Sequence, residues 1–313
     1  MPSTIRVYTI IFSLFCFLGS AFKSIGQNHP LKLSEESQIS VITFGPYQGK
    51  LWSAFGHNGI RVYDPQLDID WMYDWGRFDF EQANFFWNFA RGKMLYSIGR
   101  TQEYPSVKSY YIKQNRSIKE QVLNLSWAQN QAFFNYLEHN NLPENRTYLY
   151  NYVYDNCATK IRDIIQKVVP ASTLDLSFKV PKKSVRDLMD DYLSDQPWGD
   201  FIIDIALAHP IDNEATADTY LFLPDYVHLA LEGGTIENDT SNLPLIKASI
   251  SIHEEKIKKS SQSTFTPFNL FVLLFFIIGF FTNRDFKNKK RTQWIDICLF
   301  SIVGLFGWWF TFL

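Results

Sequence analysis

An α+β domain exported from the cytoplasm and followed by two transmembrane helices is the architecture the sequence predicts, and three observations predict it. Short runs of alternating polarity fill the first part of the chain after residue 38, and runs with helical spacing dominate from residue 127 on. An apolar segment follows a single arginine at the extreme N-terminus. Two charge-free apolar runs flank a basic cluster near the C-terminus. The 313 residues (36.6 kDa) are 46% hydrophobic and 20% charged, far too apolar for disorder. A formal charge of −2 excludes a generally basic surface that coats nucleic acid. Three cysteines, Cys16, Cys157 and Cys298, exclude a disulfide-built scaffold and a four-cysteine zinc site.

The ends are read first because they set the compartment. Residues 1–26 have the layout of a signal peptide: Arg6, an apolar stretch from Val7 to Phe22, then small and polar residues before Gln27. No charge occurs between Lys259 and Arg284, so a membrane helix is expected over 265–282. A second span is expected over 295–313. The intervening loop, 283–294, holds Arg284, Lys287, Lys289, Lys290 and Arg291 against Asp285, which makes it cytoplasmic by the positive-inside tendency. The exported domain is then 27–264, with 23 basic and 30 acidic residues and one cysteine.

Within that domain, 39–44, 59–63 and 70–75 alternate like strands, and the last two pair as a hairpin across 66–68. Residues 81–91 have helical spacing, with Phe85, Phe86 and Phe89 on one side. Further strands are expected at 94–98 and 120–125. Ser126 is an N-cap for a helix over 127–139. Cys157 opens a helix in which Ile161, Ile164, Ile165 and Val168 share a face, and Pro170 ends it. Helices are expected again at 184–194, 199–208 and 224–232. Residues 238–244 form a polar break, and 249–263 read as a charged tether to the membrane.

The lone exported thiol carries the chemical argument. Outside the cytoplasm a cysteine normally pairs or is absent, and Cys157 has no intramolecular partner in that compartment. A sulfur in the first turn of a helix meets unpaired N–H groups and the positive end of the macrodipole, which favour thiolate. Asn156 and Asp155 are candidate caps and candidate oxyanion donors. A nucleophilic cysteine needs a base. Of the exported histidines, His57 lies at the mouth of a strand between Gly56 and Gly59, where another backbone can approach closely. A third group should orient the imidazole through its second nitrogen. The adjacent strand offers Asp74, with Asp79 behind it. A register slip of one residue would turn Asp74 to the opposite face.

Four separated segments, Phe55–Pro65, Tyr73–Phe80, Pro143–Arg146 and Tyr150–Asp163, together with Phe222–Tyr226, resemble the N-terminal periplasmic domain of Lnb, a family of bacterial lipoprotein N-acyltransferases. That domain is similar in turn to the permuted papain-like (NlpC-type) thiol superfamily, here with added helices. The resemblance implies that Cys157 is the nucleophile and His57 the general base. It implies a phospholipid acyl donor, a diacylglyceryl lipoprotein as acceptor, no cofactor and no metal, and a place in the inner membrane with the catalytic domain in the periplasm. A papain-like cell-envelope peptidase or amidase would use the same pair, and a non-catalytic envelope scaffold is the remaining alternative.

Overall fold

A computed structural model describes residues 31–169, 172–173, 181–237, 242–256 and 264–310; the expected signal peptide over 1–26 lies outside them. The described part of the domain is α+β, built on a seven-stranded sheet in the order β10-β5-β1-β2-β3-β4-β6, with every neighbouring pair antiparallel. Its strands are β1 (Gln38–Phe44), β2 (His57–Asp64), β3 (Ile69–Arg77), β4 (Met94–Thr101), β5 (Ile118–Leu123), β6 (Thr147–Tyr150) and β10 (Ile246–His253). Short strands β7 (Ser172–Thr173), β8 (Thr235–Glu237) and β9 (Asn242–Pro244) make a second, three-stranded sheet.

The pleat sorts the side chains of the large sheet into two cores, because successive residues point to opposite faces. Ile39, Val41, Ile60 and Val62 face one side. They pack there with Phe133, Phe134 and Leu137 of α3 (Trp127–Asn141) and with Ile161, Ile164 and Ile165 of α4 (Cys157–Val168). Each of these isoleucines contributes roughly 1.5–3 kcal/mol by leaving water. Ile42, Phe44 and Met72 face the other side, against Tyr104, Val107 and Tyr111 of α2 (Tyr104–Lys113). A third cluster joins α5 (Val185–Leu193), α6 (Pro197–Leu207) and the turns near α7 (Ala217–Tyr220), through Val185, Leu188, Leu193, Ile203, Ile211 and Tyr220. The helix α8 (Pro224–Glu232) sends Val227, Ala230 and Leu231 into the first core.

Several elements differ from the sequence reading. The helix expected over 81–91 is only Phe85–Ala90 (α1), because Asn84 takes a left-handed conformation (φ 58°) that breaks the turn before it. The region read as a tether from residue 249 begins as an edge strand: β10 pairs with β5 with bulges at both ends, and its polar composition belongs to its exposed residues. The helix α2 was not expected, although Tyr104, Val107 and Tyr111 recur at i, i+3 and i+7; Pro105 in its first turn starts it.

At the C-terminal end, α9 (Pro267–Asn288) begins on a Thr266 cap whose hydroxyl accepts the Asn269 N–H. It continues six residues past the expected end of the span, so the basic connection shortens to 289–292, with Lys289 left-handed at the cap. Among the described residues, α9 is the one helix long and apolar enough to cross a membrane; α10 (Gln293–Phe310) is a shorter apolar helix with Asp296 in its first turn.

Candidate active site

His57 is the first residue of β2, and the turn before it is built for glycine. Gly56 has a φ of +87°, and a Cβ there would lie 2.8 Å from the Phe44 carbonyl. The β2–β3 register sets Gly59 opposite Asp74, and a Cβ at Gly59 would collide with the Met72 methyl at 2.2 Å. In this register Asp74 shares the face of His57, and its Oδ2 lies 3.1 Å from His57 Nε2. Each of the two side chains is 18% exposed.

A bulge in β3 brings in a residue that the sequence reading missed. Asp74 faces Gly99 of β4, but Arg77 faces Ser97, so three residues on β3 span two on β4. The extra residue turns Arg77 to the face of Asp74. Its Nε donates to Asp74 Oδ1 at 2.7 Å, its Nη2 reaches the same oxygen at 2.5 Å, and Nη2 also donates to Thr101 Oγ1 at 2.9 Å. Gly76, with φ +94°, makes the bulge, and Cβ of Cys157 lies 3.9 Å from where a Cβ on it would stand. The signal in the sequence was Trp75-Gly76-Arg77 at a strand end: a glycine inside a strand marks a bulge or a close approach, and here it marks both. Asp79 is exposed and accepts the Glu81 N–H, away from the imidazole.

Cys157 reaches this place as the first residue of α4. Asn156 is the N-cap: its Oδ1 accepts from Ala158 N (2.8 Å) and Thr159 N (3.0 Å), while Thr159 Oγ1 accepts the Asn156 N–H at 2.8 Å. Its Nδ2 donates to the carbonyls of Tyr152 and Phe222, both at 2.8 Å, which ties the loop before the cysteine to the Phe222–Tyr226 segment. Both amide hydrogens are thereby used, so Asn156 is a cap and not an oxyanion donor. Asp155 is neither: its carboxylate pairs with Lys160 at 2.6 Å and its backbone bridges Asn151. The Lys160 N–H goes to the Asn156 carbonyl, which leaves the Cys157 N–H as the first-turn donor without an acceptor among the described residues.

Electrostatics ties these groups together. Burial works against a charge on the Cys157 thiol, yet its pKa is lowered by the His57 charge, by a hydrogen bond to His57 and by the Asn58 backbone N–H. Burial likewise opposes a charge on His57. Negative charge on Tyr111 and Cys157, with hydrogen bonds to Asp74 and Cys157, raises its pKa well above the ordinary histidine value. Tyr111 is itself pushed up by burial and keeps its proton, so the acidic groups that act on His57 are Cys157 and Asp74. Burial would raise the Asp74 pKa, but His57 and Arg77 hold it below the usual carboxylate range. These directions favour a thiolate–imidazolium pair with a carboxylate behind the imidazolium. Such a group attacks an electrophilic carbonyl and returns a proton to the leaving group.

Three other histidines among the described residues stand apart from this group. His139 is exposed beside Asn145, His209 is exposed beside Asp212, and His228, half-buried in α8, has a pKa lowered by burial. Among the described residues the group of three side chains that could share a cation is Asp190, Asp200 and Asp204, on α5 and α6, of which Asp204 is already paired with Arg186.

Comparison with known proteins gives the family. No curated protein matches the chain. Among solved structures, the crystal structure of a type VI secretion system effector, TseH, aligns over 51% of this chain and 90% of its own, with 14% identity and a TM-score of 0.31; at that score the likeness carries no argument. The sequence profile described as the Lnb N-terminal periplasmic domain matches residues 29–191 and so takes in His57, Asp74, Arg77 and Cys157. The profile described as the Lnb transmembrane domain matches residues 258–313. The protein is therefore an inner-membrane protein with its N-terminal domain in the periplasm, and it belongs to the Lnb family.

Proposed function

We propose that the chain is a thiol acyltransferase that moves an acyl chain from a phospholipid, through a thioester on Cys157, to the N-terminal amine of a diacylglyceryl lipoprotein. The observation that carries this reading is the Cys157–His57–Asp74 arrangement inside an Lnb periplasmic domain. A helix-borne cysteine following a strand-borne histidine also fits a permuted papain-like thiol domain. In the first half-reaction the Cys157 thiolate attacks the ester carbonyl, and the Cys157 N–H faces the oxyanion. Collapse forms the thioester and expels the lysophospholipid alkoxide, which takes the proton from the His57 imidazolium. In the second, the lipoprotein α-amine attacks the thioester. His57, now neutral, removes the amine proton as the amide forms and the thiolate leaves. Asp74 steadies the imidazolium in both directions, and Arg77 holds Asp74. The membrane helix α9, with the basic connection on its cytoplasmic side, keeps the thiol in the compartment where both lipid-anchored substrates are found, which raises their effective concentration without new contacts.

The test uses membranes from a strain that lacks N-acylation, incubated with the full chain or its Cys157→Ala form. Lipoprotein N-terminal peptides should gain one amide-linked acyl chain with the intact protein alone. Equal masses from both proteins would overturn the reading. A hydroxylamine-labile adduct on Cys157 with the mass of a fatty acyl chain, and not of a peptide, separates thioester chemistry on lipid from the hydrolysis of wall peptides by the same dyad.

A further inference from the structure

Helix α6 is apolar on two sides. Ile203 and Leu207 face inward onto the α5 cluster, while Trp198, Phe201, Ile202 and Ile205, spaced i, i+3, i+4 and i+7, form a second stripe. That stripe is not covered by the domain: Ile202 is 58% and Ile205 42% exposed. It is continuous with the start of the membrane helix. The Trp198 ring lies 5.3 Å from that of Phe265, its indole N–H donates to the Phe265 carbonyl at 2.9 Å, and Phe201 lies 5.6 Å from Phe271 of α9.

The apolar surface extends from α6 toward the thiol. A Cβ on Gly199 would stand 2.4 Å from Leu51, so the 3-10 turn Leu51–Ser53 rests directly on α6. That turn presents Trp52, 60% exposed, whose ring meets Phe78 at 6.1 Å and Phe80 at 6.4 Å. Phe78 stacks on Tyr96 at 5.2 Å, Tyr96 on Tyr150 at 4.2 Å, and Tyr150 is within electrostatic reach of Cys157. Cations border this surface: Lys50 lies 5.4 Å over Trp52, and on α1, whose Phe85 meets Phe80 at 5.0 Å, Arg91 lies 5.8 Å over the exposed Trp87. Exposed tryptophan beside a lysine or arginine is the composition that settles at the headgroup level of a bilayer, with the ring in the acyl boundary and the cation at the phosphates.

We propose that α6 and the Trp52–Phe80 surface lie in the periplasmic face of the same bilayer that α9 enters, so that the domain rests on the lipid with the aromatic path Phe80–Phe78–Tyr96 leading from the headgroup region to Cys157. The occupant of the surface is phospholipid. The docking rests on continuity with the membrane helix; its use as a route for the acyl donor rests on the acyl-transfer reading above. Leu67, in the turn at the other end of β2, is 40% exposed but stands about 25 Å from His57 at ~3.3 Å per residue, and it faces water.

The experiment uses the full chain with Cys16→Ser, Cys157→Ser and Cys298→Ser, reconstituted in vesicles of phosphatidylethanolamine and phosphatidylglycerol. Single cysteines replace Trp52, Phe80, Ile202 or Leu67 and carry an environment-sensitive fluorophore. Lipids with a spin label high on the acyl chain should quench positions 52, 80 and 202 about threefold or more above position 67, with blue-shifted emission at those three. Quenching at 202 alone would overturn the proposal, since it would leave the aromatic surface in water. Blue-shifted emission at 52 and 80 without lipid quenching would also overturn it, because a protein, either a second copy or a partner, would then cover the surface. Equal quenching at all four positions would do the same. Because the thiol is absent throughout, none of these outcomes depends on whether the chain transfers acyl groups.

Discussion

Two charged clusters share one face of β2 and β3, four residues apart on each strand, and they are built for opposite purposes. At Arg61 the guanidinium meets Asp70 through Nε at 2.6 Å and Nη2 at 3.0 Å, and Glu120 through Nη1 at 3.0 and 3.1 Å, with Tyr104 under it at 4.5 Å. Its carboxylates come from opposite sides of β2, Asp70 from the neighbouring β3 and Glu120 from β5 beyond β1, so the cation is closed in. At His57 the carboxylate comes from β3 alone, Arg77 reaches it across the bulge, and the remaining side is left to Cys157 from α4. The chemistry differs as the geometry does. Burial opposes the Arg61 charge, but Asp70 and Glu120 raise its pKa further above the arginine range, so its protonation never changes near neutrality. At the other cluster the shifts run toward each other, the His57 pKa raised and the Cys157 pKa lowered, which favours passing a proton between the two. A cluster closed on both sides is a staple, and the same face opened on one side by a bulge becomes a site.

Removing either centre should separate the two roles. Cys157→Ala is expected to abolish acyl transfer, by at least ~10³-fold, since no other thiol of the exported part can replace it. Its denaturation midpoint should stay within about 1 kcal/mol of the parent's. Arg61→Met is expected to do the reverse. It strands Glu120, whose side chain is 7% exposed, and Asp70 together, at a cost of about 3 kcal/mol in stability, read by chemical denaturation of the reconstituted protein. The protein that remains folded should keep the pH profile of the parent. A shifted profile would mean that the two clusters are electrostatically one.

Asp74→Asn sharpens the comparison at the site itself. The reactive pair exists above the lowered Cys157 pKa and below the raised His57 pKa. Asp74 is among the groups that raise His57, so losing its charge lowers the His57 pKa and moves the alkaline limb toward lower pH. Acyl transfer should fall by about 10²-fold. The rate of acyl transfer followed against pH should show the limb moving down; an unchanged limb would remove Asp74 from the site.

How much of this was legible in sequence depends on the range of the interactions. The strands β1 to β3, the helix opened by Cys157 and the positions of His57 and Asp74 follow from local alternation, caps and turns, and the register needed only a short hairpin. Asn156 was legible as a cap, but its two bonds to Tyr152 and Phe222 were not, since one partner lies 66 residues away. Those bonds use both amide hydrogens, so of the two roles for which Asn156 was a candidate the structure displays the cap. Arg77 was hidden for a different reason. Strict alternation puts residues 74 and 77 on opposite faces, and only the bulge at Gly76 reverses that. The strand at Ile246–His253 was hidden by its polarity, which belongs to an edge.

The smallest effect falls on Arg77, which touches no reacting atom and acts through Asp74. Its side chain is 39% exposed, so solvent screens much of its pull. Arg77→Gln should therefore lower acyl transfer at neutral pH only about fivefold. The diagnostic is the acid side of the profile. Asp74 is held low first by its hydrogen bond to His57 and also by Arg77, so without the guanidinium its pKa rises and protonation begins at a higher pH as the solution is acidified. The acid loss of activity should move up accordingly, while the alkaline limb, which follows His57, should move far less than in Asp74→Asn. Arg77→Lys restores the charge and should return most of the acid-side shift, though not the fork that also holds Thr101. If lysine and glutamine behave alike, Arg77 braces the bulge and does not tune the carboxylate, and the open cluster owes its charge to His57 and Cys157 alone.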